Sequence, residues 1–349
     1  MRTTTVGANN NNFRQTVDDA QRILGQNHCM EKFPTLDAEL AAAIPMLPAV
    51  DFADLPSARA TMNEMLEPVL AALSMDGVVL RELTAPGIGD DHDATIRFFT
   101  PEDVDGPFPV LLFIHGGGFC IGTAASSDPH CVDIVRELGI AVANVEYRLA
   151  PETPFPGPLN DCYSALVYIH AHADDLDIDA NRIAVGGQSA GGGLAAGTVL
   201  KARDEAVVPV AFQVLDIPEL DDRLSTVSMS EFTDTPLWHR PNAVLSWQYY
   251  LGDGYGGPDD PEVSKYAAPS RATDLAGLPP TYISTMELDP LRDEGIEYAT
   301  RLMYAGVSVE LHSFPGTFHG SGVVAAAEVS RRARTEVMVA LRRGLSLTS

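Results

Sequence analysis

A serine with a glycine two residues away on either side stands between a strand-like apolar run and a helix-like run. The motif reads Gly187-Gln188-Ser189-Ala190-Gly191. A strand-to-helix turn this sharp crowds the residues beside the serine, so glycine is needed at Gly187 and Gly191. The turn lifts the Ser189 hydroxyl above the sheet and points the partial positive charge of the helix N-terminus at the reaction centre. The spacing predicts a nucleophilic serine, with the Ala190 amide available to an oxyanion; a merely structural glycine-rich turn is the alternative.

A second motif, His115-Gly116-Gly117-Gly118-Phe119, directly follows another apolar strand-like run. Consecutive glycines leave backbone N–H groups uncovered, and acyl transfer needs such donors where negative charge develops on a carbonyl oxygen. A phosphate-binding loop is disfavoured, because no Lys-Ser/Thr pair follows the glycines. We therefore expect an oxyanion loop, with Gly116 and Phe119 as supporting residues and His115 bracing it by hydrogen bonds.

One histidine follows the last predicted strand, where a base for the serine is needed. A serine hydroxyl becomes a good nucleophile only when an oriented base takes its proton. Among nine histidines, His319 lies in the loop Phe314-Pro-Gly-Thr-Phe-His-Gly320, directly after that strand. His312 lies at the end of the strand, and His170 and His172 lie on a helix, so structural roles are expected for these three. His319 is the predicted general base.

Three carboxylates follow the penultimate predicted strand, where the acid that orients the base should stand. Asp289 precedes a proline that ends the strand and begins a loop, which is the usual position for this role. Asp293 fits better in the first turn of a helix, where a negative charge is favourable. Glu287 is the second choice. The chain order Ser189, Asp289, His319 differs from that of chymotrypsin and subtilisin and is the order found in α/β-hydrolases.

Together these motifs resemble those of the hormone-sensitive-lipase-like (HGGG-motif) family of bacterial carboxylesterases, which have the α/β-hydrolase fold. The resemblance extends from about Phe33 to the C-terminal helix, and four ordered motifs carry it. They are His-Gly-Gly-Gly-Phe at 115–119, Tyr147-Arg-Leu-Ala-Pro-Glu152, Gly-x-Ser-Ala-Gly-Gly at 187–192 and Asp289-Pro-Leu-Arg-Asp-Glu294. One departure is Gln188, where the family usually has Asp. This position supports the turn and makes no bond to substrate, so the expected reaction class is unchanged.

The resemblance also implies the remaining parts of the site. It assigns the oxyanion-hole amides to Gly117, Gly118 and Ala190 and implies a helical cap above them. The segments 284–294 and 313–321 further resemble family members that deacetylate acylated morphine alkaloids. We therefore expect a serine carboxylesterase that hydrolyses short-chain, acetyl-type esters of bulky alcohols through an acyl-enzyme, with neither a metal nor an organic cofactor.

Two other function classes share this fold. Plant hormone receptors resemble the family but lack the catalytic histidine, so His319 argues against a non-catalytic small-molecule receptor. An amidase or peptidase would use the same triad, but alkoxides leave more easily than amines, which favours esters. Epoxide hydrolases and dehalogenases of this fold use Asp where this chain has Ser189.

Short β-branched runs alternate with longer helical patterns from Gly77 onward. This alternation predicts an α/β fold with an eight-stranded, mostly parallel sheet flanked by helices. The predicted strands are 77–83, 94–100, 110–114, 141–146, 183–185, 210–215, 281–284 and 307–311. The predicted helices are 127–138, 160–172, 190–203, 291–305 and 323–343.

Two regions outside this alternation are expected to build the cap. Residues 1–75 form an N-terminal helical cap segment, and residues 76–349 form the catalytic domain. The helix-compatible stretches of the first segment are 17–24, 36–47 and 54–73. Residues 217–278 separate two strands by far more than a crossover needs and hold both tryptophans of the chain. They are expected to contribute to the cap, with core packing as the alternative for each ring.

The charge balance limits the partners that the chain can bind. It has 349 residues, of which 23 are basic and 48 acidic, giving a formal net charge of −25. Such a surface repels phosphate backbones and anionic lipids, so nucleic acid and membrane are disfavoured and a small-molecule ester is the expected ligand. A homodimer is left open. The N-terminal segment has no apolar h-region and the apolar stretches are too short to span a bilayer, so a cytoplasmic location is expected.

Overall fold

The computed structural model describes residues 31–89 and 91–347, in which strands and helices alternate from residue 78 onward. The strands are β1 (Val78–Ala85), β2 (Ala94–Pro101), β3 (Phe108–Ile114), β4 (Ala141–Glu146), β5 (Ile178–Gln188), β6 (Phe212–Asp216), β7 (Thr281–Leu288) and β8 (Val309–Phe318). The helices are α1 (Ala38–Ala43), α2 (Leu55–Ala71), α3 (Asp128–Leu138), α4 (Gly157–Ala171), α5 (Ala173–Leu176), α6 (Ala190–Glu205), α7 (Val227–Glu231), α8 (Arg240–Leu251), α9 (Arg292–Tyr304) and α10 (Glu328–Gly344). Each of the eight predicted strands corresponds to an observed one.

The eight strands form one sheet in the order β1-β2-β4-β3-β5-β6-β7-β8. β2 is antiparallel to both of its neighbours, and the pairs from β4 to β8 are all parallel. The predicted eight-stranded, mostly parallel sheet is therefore confirmed. Helical crossovers join the parallel strands, as parallel pairing requires.

Both faces of the sheet are buried, which explains why its central strands are almost continuously apolar. On β3, every residue is buried. Successive side chains of a strand point to opposite faces. Accordingly, Val110 and Leu112 pack in one core cluster with residues of α4 and α6, whereas Leu111 and Phe113 pack in a second cluster with residues of α3 and α10.

The segment before β1 and the long connection between β6 and β7 contact each other directly. The Phe52 amide donates to Oδ1 of Asn242 at 3.1 Å, and Nδ2 of Asn242 donates to the Val50 carbonyl at 2.8 Å. The Tyr249 hydroxyl donates to the Phe52 carbonyl at 3.2 Å. These bonds join α8 to the chain just before α2. The predicted helix at 17–24 lies outside the described residues.

Candidate active site

The predicted site residues all follow strands at one edge of the sheet. The glycine loop follows β3, Ser189 follows β5, Asp289 follows β7 and His319 follows β8. The carboxyl ends of parallel strands meet at the same edge, where open α/β sheets bind ligands. The pairing of Ile114 with Gly187 and of Leu288 with Phe318 brings these loops side by side.

Ser189 occupies a strained turn between β5 and α6. Its backbone has φ 58° and ψ −123°, a conformation that non-glycine residues rarely adopt. The flanking glycines permit it: a Cβ on Gly187 would lie 2.3 Å from the Gly191 carbonyl oxygen, and one on Gly191 would lie 2.1 Å from the Ile114 oxygen. The turn therefore has the crowded geometry that the motif predicts.

Ser189, His319 and Asp289 form one hydrogen-bonded chain. Oγ of Ser189 lies 2.8 Å from Nε2 of His319, and Nδ1 of the same ring lies 2.7 Å from Oδ2 of Asp289. The carboxylate neighbour favours the tautomer with hydrogen on Nδ1, which leaves Nε2 free to accept a proton. Asp289 is fully buried, and its Oδ1 accepts the Leu291 amide at 2.8 Å. The three groups can therefore transfer a proton from a serine to an oriented imidazole.

The alternative acids and histidines are engaged elsewhere. Oε2 of Glu287 accepts the Gly316 amide at 2.6 Å, and Oδ2 of Asp293 accepts the Ser228 amide at 2.8 Å. His312 contacts Glu310 on its own strand, with 2.9 Å between Nε2 and Oε1. His170 lies in α4, and His172 stacks on Tyr168 just beyond it. Asp289 is the acid that reaches His319.

The glycine loop turns its backbone through conformations that side chains rarely tolerate. Gly117 has φ 129°, Gly118 has φ 52° and Phe119 has φ 59°. A Cβ on Gly118 would lie 2.6 Å from the Trp238 ring and 2.7 Å from the Phe52 ring. Phe119 stacks on Tyr250 with ring centroids 4.0 Å apart, which helps to hold its unfavourable backbone angle. Phe52 and Trp238 thus lie directly against the loop.

His115 is buried beside this loop. Its Nδ1 lies 2.8 Å from the Gly116 carbonyl oxygen, and its ring stacks on Tyr147 at a centroid distance of 4.2 Å. The Tyr147 hydroxyl donates to the His115 carbonyl at 3.0 Å. Burial lowers the pKa of His115 to about 4, so the ring is neutral at physiological pH. These contacts fit the predicted bracing role, which rests on packing as much as on hydrogen bonds.

Gln188 bridges from β5 to β6 at the turn. Its Nε2 donates to Oδ2 of Asp216 at 2.9 Å, and the Ser284 hydroxyl donates to Oδ1 of the same carboxylate. An Asp in place of Gln188 would face this carboxylate with like charge. Gln188 is therefore compatible with the neighbouring Asp216 carboxylate, to which it donates.

Three groups at the site carry no motif that would have singled them out. Phe52 and Trp238 contact the glycine loop, and the Trp238 ring centroid lies 5.8 Å from that of His319. The Ser246 hydroxyl, on α8, donates to the Gly118 carbonyl at 3.0 Å. For Trp238, the concentration of aromatic residues between 217 and 278 was a signal, but it did not distinguish this ring from the others; Phe52 and Ser246 carried no signal.

None of the helices in the described parts of the chain combines the length and apolar composition needed to cross a bilayer. Within the part of the chain that the structure describes, Cys120, Cys131 and Cys162 are buried and form no disulfide with one another, and burial raises the pKa of each thiol.

Comparison with known proteins identifies relatives over most of the chain. A family model described as an alpha/beta hydrolase fold matches residues 111–322. Carboxylesterase NlhH of Mycobacterium tuberculosis is 39% identical over 260 residues, covering 72% of this chain and 79% of that protein. A solved bacterial heroin esterase is 74% identical, with a TM-score of 0.89, and the match covers 91% of this chain and 100% of the other. The esterase LipW of Mycobacterium marinum is 35% identical, with a TM-score of 0.81, over 89% of this chain and 96% of that one.

These matches confirm the resemblance drawn from the four motifs. The family model covers more than half of the chain, and a carboxylesterase is 39% identical over 72% of it. Both matches support the family assignment. The chain belongs to the hormone-sensitive-lipase-like carboxylic ester hydrolases of the α/β-hydrolase family.

Proposed function

We propose that this carboxylic ester hydrolase removes acetyl-type acyl groups from bulky alcohols, including acylated morphine alkaloids, through an acyl-enzyme on Ser189. The hydrogen-bonded chain from Ser189 through His319 to Asp289 carries the proposal, because it supplies a nucleophile, a base and an orienting acid in contact. The name of the similar bacterial heroin esterase supports the substrate class.

In the first half of the reaction, Oγ of Ser189 attacks the ester carbonyl carbon while Nε2 of His319 takes the hydroxyl proton. The tetrahedral intermediate then collapses: the ester C–O bond breaks and the imidazolium gives its proton to the departing alcohol. The acyl group stays on Ser189. Asp289 keeps hydrogen on Nδ1 of His319 and stabilises the positive ring while it lasts.

In the second half, water replaces the alcohol. Nε2 of His319 takes a proton from water as its oxygen attacks the acyl-enzyme, and the proton then returns to Oγ of Ser189 as the carboxylic acid leaves. In both halves of the reaction, every proton and every bond is accounted for by the substrate, the protein groups and water.

The oxyanion of each tetrahedral intermediate is assigned to the amides of Gly117, Gly118 and Ala190. Positive φ angles at both glycines and the position of Ala190 as the first residue of α6 support this assignment. Preorganised amides at the point where charge develops are a major source of catalysis in acyl transfer. The N-terminus of α6 adds its dipole at the same place.

The cap is proposed to consist of the N-terminal segment and residues 217–278. Phe52 from the first and Trp238 from the second pack edge to face with ring centroids 5.1 Å apart, and both contact Gly118. Rings so close to the glycine loop restrict the space beside the reacting carbonyl. This crowding supports a small acyl group and leaves the bulk of the substrate on the alcohol side.

The proposal is tested by kinetics with 4-nitrophenyl acetate and diacetylmorphine on Ser189→Ala and His319→Ala. Each change removes one member of a unit, so kcat should fall by roughly 10⁶. His312→Gln, a histidine change on β8, the strand that His319 follows, is the control and should retain wild-type turnover. Near wild-type kcat in either triad variant would refute the assignment of the site.

Matched substrates test the reaction class and the substrate. Wild-type enzyme should cleave an acetyl ester far faster than the corresponding acetanilide, because an alkoxide leaves more readily than an amide nitrogen. Preference for the anilide would indicate an amidase. Diacetylmorphine should be cleaved with a kcat/KM at least comparable to that of a simple alkyl acetate; failure to cleave it at all would reject the alkaloid substrate while leaving the esterase intact.

A further inference from the structure

Glu219 is a fully buried acid directly beside the catalytic turn that the mechanism above does not use. Its amide donates to the Ser189 carbonyl at 3.0 Å, and its side chain has no solvent exposure. A Cβ on Gly193 of α6 would lie 2.1 Å from the Glu219 carbonyl oxygen, so the backbone at this residue is tightly held. Neither carboxyl oxygen makes a hydrogen bond within the described ranges 31–89 and 91–347. Buried polar atoms without partners are rare enough to need an explanation.

The Ser246 hydroxyl, which holds the glycine loop, lies next to the Glu219 carboxyl, but the two side chains form no hydrogen bond of ordinary geometry in this structure. Ser246 donates its single hydrogen to the Gly118 carbonyl at 3.0 Å. Toward Glu219 it can therefore only accept, and a carboxylate has nothing to donate. A protonated carboxyl, in contrast, can donate to Ser246 and complete a continuous chain from Glu219 through Ser246 to Gly118.

We propose that Glu219 is a positioning residue for the oxyanion loop, which acts as a neutral acid donating to Ser246 and so fixes the Gly118 carbonyl. The inference rests on the proposed function, because the loop matters to catalysis only if its amides bind the oxyanion. Glycine has no side chain to restrict its backbone, so the orientation of residues 117 and 118 depends on hydrogen bonds of this kind.

The surroundings of Glu219 favour its neutral form. Among the described residues, the ionisable groups that interact with it are Asp289 after β7, Glu294 on α9, the Cys120 thiol after the glycine loop and the Tyr250 hydroxyl on α8. None of these four can carry a positive charge. Burial raises the pKa of Glu219 to about 8; the contact with Ser246 acts against this rise, and the negative charge of Asp289 adds to it.

Ionisation of Glu219 should impair catalysis for two reasons. The carboxylate loses the hydrogen that binds Ser246, so the loop loses one of its restraints. It also places a negative charge behind the loop that must stabilise a negative oxygen. The hydrolysis rate should therefore fall as the pH rises through the pKa of Glu219.

The test is the pH dependence of kcat for 4-nitrophenyl acetate in wild type, Glu219→Gln and Glu219→Met. Wild-type kcat should fall with an apparent pKa of about 8 to a plateau at least about tenfold lower, with little change in KM, as expected for one ionisation that weakens the hold on the loop. In E219Q the amide can still donate to Ser246 and cannot ionise, so kcat near pH 7 should stay within about threefold of wild type and the alkaline fall should disappear. E219M fills the space without a donor and should lose about tenfold in kcat near pH 7.

Two controls separate Glu219 from its neighbours. Tyr250→Phe removes a facing hydroxyl and should keep the alkaline fall; its disappearance in Y250F would transfer the titration to the tyrosine and overturn the proposal. Ser246→Ala breaks the link to Gly118, so adding E219M to S246A should cause little further loss of kcat. Fully additive losses in the double variant, or an alkaline fall retained in E219Q, would also overturn it.

A stability measurement tests the proton on Glu219 without using catalysis. An acid with a pKa of about 8 when folded and about 4.5 when unfolded binds an extra proton on folding between these values, so wild-type stability falls as the pH rises across that range. The Tm of E219Q minus that of wild type should therefore become more positive as the pH rises from about 5 to about 8. A constant difference would refute the neutral acid. Activity retained in Ser189→Ala would instead refute the proposed function, so the two failures are distinguishable.

Discussion

The turn that holds Ser189 depends on the glycines two residues before and after it, where no side chain would fit. The left-handed backbone at Ser189 is unfavourable, and it persists because the Gly187 and Gly191 backbones pack against each other and against Ile114. Chemistry restricts which residue types can serve as nucleophile, base and acid, and this is why Ser189, His319 and Asp289 could be selected from the sequence. Ser246 and Glu219 could not be selected, because their roles depend on neighbours that are distant in the chain.

Asp289→Asn should separate the orienting acid from its nearest rival. The amide can donate to Nδ1 and so favours the wrong tautomer of His319, which should lower kcat by about 10⁴. Glu287→Gln is the matched control: its carboxylate binds the Gly316 amide, so kcat should stay within about tenfold of wild type. Steady-state kinetics with a nitrophenyl acetate measure both. If E287Q is the more damaging change, Asp289 is not the orienting acid.

The predicted strands were right in number and position; β5 begins earlier than predicted, at Ile178, and several strands end later than predicted. β5 continues to Gln188, β7 to Leu288 and β8 to Phe318, beyond the apolar runs that predicted them. These extensions contain the glycine, proline and polar residues that the site requires, and such residues give no strand pattern. Helix α2 runs from Leu55 to Ala71, inside the predicted stretch 54–73, with Pro68 in its last turn.

The glycine loop should not tolerate a side chain at Gly118. In Gly118→Ala the new Cβ meets both the Trp238 and Phe52 rings, so the loop must shift and kcat should fall by about 10² to 10³. Gly139→Ala is the control, since Gly139 also has positive φ, at 65°, but a Cβ there meets nothing within 4 Å. It should lose about 1 kcal/mol of stability and no activity. Equal kcat in the two variants would contradict the assigned role of the loop.

Trp238 should restrict the acyl chain if the cap closes over the reacting carbonyl. Trp238→Ala opens space beside Gly118 and His319, so kcat/KM for a hexanoate ester relative to the acetate should rise by about tenfold or more. Trp247→Phe changes a buried ring that packs on Phe119 and should keep the wild-type ratio. An unchanged ratio in W238A would mean that the acyl group lies elsewhere.

The architecture as a whole was predictable from the alternation of buried strand runs with helical runs, because parallel strands buried on both faces are almost continuously apolar. The antiparallel direction of β2 could not be predicted, because the alternating pattern of a strand such as β2 does not depend on its direction in the sheet. The contact between Phe52 and α8 could not be predicted either, because it depends on how two irregular segments cross. The division into cap and catalytic domain stays a prediction.

A formal net charge of −25 should make the stability of the whole molecule depend on salt. Like charges repel in the folded state, and ions screen this repulsion over a Debye length. Adding about 0.5 M NaCl should raise the free energy of unfolding by about 1 kcal/mol, or roughly 2 °C in Tm. KCl at equal ionic strength should act identically, which scanning calorimetry can measure. A decrease in Tm with either salt would show that attractive ion pairs dominate instead.

Stoichiometric labelling by an organophosphate, followed by peptide mass spectrometry, tests most directly whether Ser189 is the nucleophile. We expect one adduct per chain, located on Ser189, with esterase activity lost in proportion to its formation. The adduct should be absent in Ser189→Ala and should form far more slowly in His319→Ala, because the serine then lacks its base. Full occupancy of Ser189 with undiminished ester hydrolysis, or inactivation by an adduct on another residue, would contradict the account.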